Sequence, residues 1–496
     1  MVQTLISLFF LQLFQTGNPV PEKLYAQVSQ PFYTGGDIIW SKVYFLDTDS
    51  SEIQSRVVYV ELLDPSGKLI HQERIQRMEN YANWSYQLPF DLPGGIYVLR
   101  FFTLWNLNFE PPQVYDYPFE LLVGNGTGSA PPDYSKWENN RMVVGPLPVQ
   151  INLQPEKDVY QKGETIRVYL EASADMGSPV QGNFSAAVTD AAWIPPIYAT
   201  RPNFQTCLNR YEKTASIYQA RFSPETGLRV EGKAYQTEDG TLLETNYLSL
   251  HLVEHNNYLQ EPTEDGAFVF DLPAFYGTQN AQIHNLNPYQ SPLPKVEIIE
   301  AADYLNFDPN IQLEAAIVDS TARNRYLFLM RKQRKFRELF NQAPTEIREL
   351  PKQKIAFGTP SKTYDMADFE QLISVEEFLN EVVLTARLKG KEGDRKVFLQ
   401  SSDDYRRYSQ SAWFQVDGFL ISDASYAMNI PFGSVKSIEI YSDKERIVAH
   451  FPSILAAFGV IGIKTREGTL PAGLQDVSNR FNVMGYHFPY EFQDPP

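Results

Sequence analysis

Tyr33-Thr34-Gly35-Gly36-Asp37-Ile38-Ile39 returns later in the chain as Tyr160-Gln161-Lys162-Gly163-Glu164-Thr165-Ile166, a shared Tyr-x-x-Gly-acid-x-Ile pattern. In each copy a glycine-bearing turn feeds a run of alternating apolar residues, the period of a half-buried strand. Both copies sit between the first and second strands of their units. That placement predicts one sandwich type repeated in tandem.

Working outward, the first copy lies in a regular series of strands and turns. Tyr25–Val28 alternates, Ile38–Leu46 follows the turn, and Val57–Leu63 is strongly apolar. Asp64-Pro65-Ser66-Gly67 and Leu92-Pro93-Gly94-Gly95 carry the residues that β-turns favour. Short strands punctuated this way predict a β-sandwich over 21–124. Gly124-Asn125-Gly126-Thr127-Gly128-Ser129 opens a linker over 125–147. A second sandwich with an irregular extension is expected over 148–222, and a third sandwich over 223–300. The stretch 301–362 is read as a linker with a basic helix, seven Lys or Arg lying between Arg323 and Arg337. That helix is expected to pack on a neighbour with its basic face in water.

The region 363–468 changes character. Met366–Glu381 has helical spacing, and Val382–Leu388 reads as a strand. Trp413–Val416 leads into Asp417-Gly418, a hairpin-turn dipeptide, then Val435–Tyr441 alternates and Gly459–Thr465 closes the region. This predicts a small α+β domain, followed by a tail over 469–496. The fold class is therefore mainly β: tandem Ig-like sandwiches, then an α+β unit.

Composition limits function. The 496 residues carry 43 Lys+Arg against 60 Asp+Glu, a net charge of −17. Such a balance disfavours nucleic acid or an anionic membrane as a general partner. The single cysteine, Cys207, has no internal disulfide partner and reads as a structural thiol. Leu5–Phe14 is mostly apolar, too short to span a bilayer but right for a signal-peptide core, so 1–20 is expected to direct export.

His251-Leu252-Val253-Glu254-His255 is a literal His-x-x-Glu-His, the inverted zinc-peptidase motif. That chemistry needs both histidines on one helical face. Here the flanking residues alternate like a strand, on which residues four apart lie about 13 Å from each other. A zinc peptidase is therefore only a remote alternative. No catalytic residue, cofactor or metal is expected. Asp403-Asp404 and Glu376-Glu377 read as solvated charge. Trp40 and Trp105 are the candidate aromatics of the first sandwich, for core packing or for a sugar or peptide platform.

Three resemblances sharpen this reading. Glu22–Tyr25, Pro31–Lys42, Gly95-Ile96-Tyr97 and Thr103-Leu104-Trp105 resemble the macroglobulin-like domain of large Gram-negative (Bacteroidetes-type) envelope proteins. Gly227–Phe270 looks like the carboxypeptidase-regulatory-like sandwich. Phe378–Val383, Val416–Phe419, Val435–Tyr441 and Phe458–Thr465 resemble, in order and spacing, the plug domain of TonB-dependent receptors. The resemblances imply an exported protein of the periplasm or outer membrane, with a protein partner there and only indirect membrane association. Thr206-Cys207-Leu208-Asn209 departs from the thioester of the macroglobulin protease traps, so covalent trapping is not implied. Few residues follow Thr465, so no pore-forming barrel of its own is expected. The implied function is a non-enzymatic envelope scaffold or accessory subunit, with a surface glycan- or peptide-binding protein as the alternative.

Overall fold

The computed structural model describes residues 20–46, 55–122, 149–186, 216–217, 222–299, 327–328 and 359–488, short gaps inside these ranges apart. The expected signal peptide, the linker 125–147, Cys207 and nearly all of the basic helix lie outside the described residues. The chain divides into two compact units, one built mainly on residues 1–226 and the other on 227–305 with 347–488.

The first unit opens with nine strands in chain order: β1 (Leu24–Val28), β2 (Phe32–Thr34), β3 (Ile38–Phe45), β4 (Val57–Leu63), β5 (Leu69–Gln76), β6 (Tyr81–Gln87), β7 (Gly95–Phe102), β8 (Phe109–Glu110) and β9 (Tyr115–Leu122). Strands β1-β3-β6 form one sheet and β2-β9-β7-β4-β5 the other. Alternation decides which side faces in. Leu24, Ala26 and Val28 of β1, with Ile39, Val43 and Phe45 of β3, meet Val58, Val60, Leu99, Phe101 and Phe119 in one buried cluster. Trp84 lies in the middle and donates its indole N–H to Glu73 at 2.5 Å. This is the predicted two-layer sandwich.

The second copy of the motif forms a hairpin of β10 (Val149–Pro155) and β11 (Val168–Ala174). It matches the first copy bond for bond at a spacing of 127 residues, Tyr33 to Tyr160. Leu24 pairs with Phe45 and Val28 with Ser41; Ile151 pairs with Ala172 and Pro155 with Val168. Ser29 donates its amide to Trp40, and Glu156 donates to Arg167. The Tyr33 hydroxyl accepts from the Gln30 amide, and Tyr160 from Lys157, both at 3.0 Å. Asp37 and Glu164 accept from the amides of Thr34 and Gln161 at 2.7 and 2.9 Å.

Cover is what differs. The positions matching the buried face of the first hairpin are apolar at Ile151, Leu153, Ile166, Val168 and Leu170, Val168 standing where the first copy has Ser41. Here they are 38–56% exposed. Among the described residues this sheet has two strands. The chain beyond it goes back to the first sandwich. Lys42 donates to the Phe184 carbonyl, and β12 (Ser216–Ile217) pairs with β8. Glu225 accepts from the Tyr59 hydroxyl at 3.1 Å.

The second unit begins with β13 (Arg229–Tyr235), β14 (Tyr247–Leu252), β15 (Asn257–Pro262), β16 (Ala267–Asp271), β17 (Thr278–Asn285) and β18 (Lys295–Ile298). The α+β part follows with β19 (Lys362–Asp365), α1 (Val375–Glu381), β20 (Ala386–Lys389), β21 (Lys396–Leu399), β22 (Trp413–Val416) and β23 (Phe419–Ile421). It continues with α2 (Ala424–Met428), β24 (Val435–Tyr441), α3 (Lys444–His450), β25 (Val460–Thr465) and β26 (Arg480–Met484). Sheets β16-β13-β18 and β15-β14-β17-β26 make a second sandwich; β19-β24-β25-β22-β23 is the α+β sheet. Asp417 and Gly418 carry φ of 46° and 96°, the left-handed pair that a two-residue hairpin turn requires.

Several expectations are corrected here. Residues 469–496 are not only a tail, because β26 pairs with β17 from Thr278↔Met484 to Gln282↔Arg480. Met366–Glu381 is not one helix. A short 3-10 turn ends at Phe369, and Ser374 caps α1 by accepting from the Glu377 amide at 3.0 Å. Val382–Leu388 begins as a turn, and the strand starts only at Ala386. Among the described residues no helix is long and apolar enough to cross a membrane.

Candidate functional site

The faces of β14 and β17 have opposite compositions. Leu248, Leu250, Leu252, Ala281 and Ile283 point into the sandwich. Ser249, His251, Gln282 and His284 share the other face, because Ser249 pairs with His284 and His251 with Gln282. A polar face of this kind reads as solvent-facing, yet all four side chains are buried. The α+β sheet covers them.

Gln282 anchors that contact. Its side-chain oxygen accepts from the Leu420 amide at 2.8 Å, and its amide group donates to the Leu420 carbonyl at 3.3 Å. One glutamine thus mimics a neighbouring strand. Gln415 donates to Asn256 at 3.1 Å. Trp413 meets the His284 ring edge to face at 5.4 Å, and Tyr258 stacks on His251 at 4.0 Å. Trp413, Leu420, Tyr441, Ile447, Phe451 and Leu455 form an apolar patch beside this layer, with Tyr258 packed on it.

Burial sets the charge state of this layer. Desolvation lowers His251 to about 4, against weaker opposing hydrogen bonds from Gln282 and Asn256. Desolvation, then His251 itself, lowers His284 to about 3. Both rings are neutral at pH 7. Burial also drives the Tyr258 hydroxyl far up.

The His-x-x-Glu-His run is dismantled by the same geometry. His251 lies on β14, as its alternating context predicts, whereas His255 follows in the turn. His255 Nδ1 is 2.6 Å from Gln279 Oε1. The Glu254 carboxylate accepts from the Asn280 backbone amide at 2.9 Å and from its side chain at 2.6 Å. The three side chains of the motif therefore serve three separate contacts. Among the described residues no group of three His, Cys, Asp or Glu is placed to hold a metal.

The candidate aromatics do not form a shared platform. Trp105 is buried, donates its indole N–H to the Val20 carbonyl at 2.9 Å and packs edge-on to Phe109. That is the packing role. Trp40 is half-buried on the outward side of β3.

One open groove lies on the α+β domain, about 550 Å³ in volume, with Arg406, Arg407, Tyr408, Lys444, Ile454 and Ala456 among its lining residues. The loop between β21 and β22 builds one wall. Ser401 donates its amide to the Arg406 carbonyl at 2.8 Å, and the Gln400 side chain donates to the Tyr405 carbonyl at 2.6 Å. Tyr408 is tied to the Ser442 carbonyl at 2.8 Å. At the loop apex Tyr405 has φ 59° and is 77% exposed. A left-handed conformation is costly for a bulky non-glycine residue and persists only where its surroundings enforce it.

Of the paired carboxylates read as solvated charge, Asp403 and Asp404 are exposed and Glu376 and Glu377 half-buried, and all four also hold local contacts. Asp403 caps Lys444 by accepting its amide at 3.0 Å. Asp404 sits 3.5 Å from the Lys444 ammonium, and the Arg406 amide above all lowers its pKa. Glu376 pairs with Arg395 at 2.7 Å, and Glu377 accepts from the Ile373 amide at 2.9 Å. Sequence reasoning singled out neither Arg406-Arg407 nor Gln282. For the arginines a signal existed, two adjacent cations beside an aromatic in an acidic chain. For Gln282 there was none, since an alternating glutamine looks like a surface residue.

No protein-family model matches the chain, and the search of curated proteins returned no match. Among solved structures, the trypsin-activated α-2-macroglobulin of Escherichia coli is similar at 10% identity and a TM-score of 0.18. That likeness covers 57% of this chain and 16% of that one. A DUF4785 family protein of Legionella pneumophila is similar at 9% identity and a TM-score of 0.17, over 55% of this chain and 56% of that one. The adhesin InvE of Yersinia pseudotuberculosis gives 8% identity and a TM-score of 0.14, over 56% and 58%. The chain thus spans about a sixth of the macroglobulin's length. Likenesses at these scores transfer neither activity nor partners.

Proposed function

We propose that this chain is a non-enzymatic scaffold or accessory subunit of a Gram-negative cell envelope, docking a partner protein through its second unit. One observation carries the reading. The second sandwich and the α+β domain share a buried polar layer, and β26 returns to complete the sandwich sheet. Such a fusion suits a rigid docking body rather than a pair of domains that must open and close. The groove on this body is open, whereas a site for a small substrate buries most of its ligand.

Export, a periplasmic or outer-membrane location and indirect membrane attachment are part of the same proposal. They rest on the apolar start and on the macroglobulin-like, carboxypeptidase-regulatory-like and plug-like resemblances. A glycan platform on Trp40 and Trp105 has less support, because Trp105 is buried.

The test is fractionation of native membranes. The protein is expected in the envelope fraction, released by carbonate as a soluble chain, and retained in mild detergent with one stoichiometric partner. Firm retention through carbonate with no partner, or residence in the cytoplasm, would overturn the proposal.

A further inference from the structure

We infer that the groove on the α+β domain binds an acidic, extended peptide segment of a partner protein, an inference that rests on the docking role proposed above. The cations come first. Arg406 and Arg407 line the groove and are exposed, and neither guanidinium has an ion pair or side-chain hydrogen bond among the described residues. The third cation, Lys444, pairs with Asp404 at 3.5 Å; Asp404 is the one carboxylate in the lining, so the cations still outnumber it. In a chain of net charge −17, a basic groove is a local reversal of sign. A guanidinium is suited to two-pronged recognition of a carboxylate.

The loop that holds these arginines is fixed in advance. Hydrogen bonds from Ser401 and Gln400 close it, and Tyr405 is held left-handed with its ring in solvent. Exposed tyrosine beside arginine is the composition of interface hot spots. Strain held at an exposed aromatic is accounted for when the turn exists to present that ring.

The apolar part of the lining then selects the class of ligand. Ile454, Ala456 and Ala457 add a short apolar strip to the same groove as the cations. An extended peptide alternates its side chains, so acidic residues reach the arginines while their neighbours face the strip. A free anion fits poorly, because the groove is open and encloses no small molecule. A membrane surface fits poorly as well. Anionic lipid is read by clusters of roughly four to eight basic residues, and this groove is lined by three, Arg406, Arg407 and Lys444.

The experiment uses the full chain and a fluorescein-labelled peptide of about ten residues alternating Glu and Val, read by fluorescence anisotropy. Its Gln-for-Glu isostere, inorganic phosphate and phosphatidylglycerol vesicles are the comparison probes. Saturable binding of the acidic peptide is expected, weakened roughly tenfold in the isostere and in an R406Q/R407Q double variant. Tyr405→Asn tolerates the left-handed turn but removes the ring, and is expected to weaken binding severalfold. Both variants alter exposed side chains, and unchanged circular dichroism and melting verify that they fold. Equal binding by the double variant, equal binding of the isostere, or arginine-dependent binding of phosphate or vesicles in place of the peptide would overturn the inference. A double variant that still retains its envelope partner would refute the groove while leaving the scaffold reading intact.

Discussion

Two sheet faces in this molecule carry compositions opposite to their burial. The β10–β11 face is apolar at Ile151, Leu153, Ile166, Val168 and Leu170, yet it lies exposed. The β14–β17 face is polar at Ser249, His251, Gln282 and His284, yet it is sealed. Burial follows what the rest of the chain supplies against a face, and composition only states a preference. The first hairpin makes the point from within. Leu24 and Ile151 occupy the same place in the same register, and among the described residues a second sheet covers only Leu24.

The largest effect expected from this contrast is acid sensitivity. His251 and His284 stay neutral when folded, near 4 and 3, against an ordinary value of 6.5. Below pH 6.5 the unfolded chain takes up protons that the folded one refuses, so stability falls as pH falls. Each ring contributes about 1.4 kcal/mol per pH unit. Their neighbours Tyr258, Gln282, Gln415 and Trp413 are uncharged, and Glu439 on the facing sheet is held by Lys464 and the Tyr441 hydroxyl. Urea unfolding of the second unit between pH 6.5 and 5 should lose up to about 4 kcal/mol. His284→Leu should roughly halve that slope. A slope unaffected by the substitution would place His284 in water.

The hairpins supply the next test. Leu24→Ala should cost about 3 kcal/mol through transfer and cavity terms. Ile151→Ala, at the matching position, should change stability by less than about 0.5 kcal/mol. Equal costs would show the second hairpin covered as the first is. Gln282→Leu probes the sealed face without charge. It strands the Leu420 amide and carbonyl in the interior, at about 2 kcal/mol by thermal melting. The smallest effect lies in the repeated turn. Tyr33→Phe should lose about 1 kcal/mol with the bond from Gln30, and Tyr160→Phe distinctly less, because it lies on the uncovered hairpin.

These comparisons also show how far the sequence reaches. The Tyr-x-x-Gly-acid-x-Ile pattern is legible because its bonds are local: tyrosine to the amide three residues back, acid to the amide three residues back. Asp417-Gly418 is legible for the same reason. Leu24, Val43 and Phe45 could be assigned to a core by alternation alone. The polar quartet could not, since nothing near His251 or Gln282 reports that a domain over a hundred residues away, through Leu420 and Trp413, will cover them. The role of β26 was hidden likewise, because a short strand gains its meaning only from the edge of β17. In the groove, Arg406 and Lys444 are distant in sequence and meet only through the folded loop.

Through Gln282, Leu420 and the sealed polar layer, the second sandwich and the α+β domain form one cooperative body. Native-state hydrogen exchange at neutral pH tests it most directly, by following amides of β14 and β17 beside those of β22 and β23. The slowest amides of all four strands are expected to open with one common free energy, and Gln282→Leu to lower it in all four together. Two separate opening free energies, with the substitution felt on one side only, would contradict it.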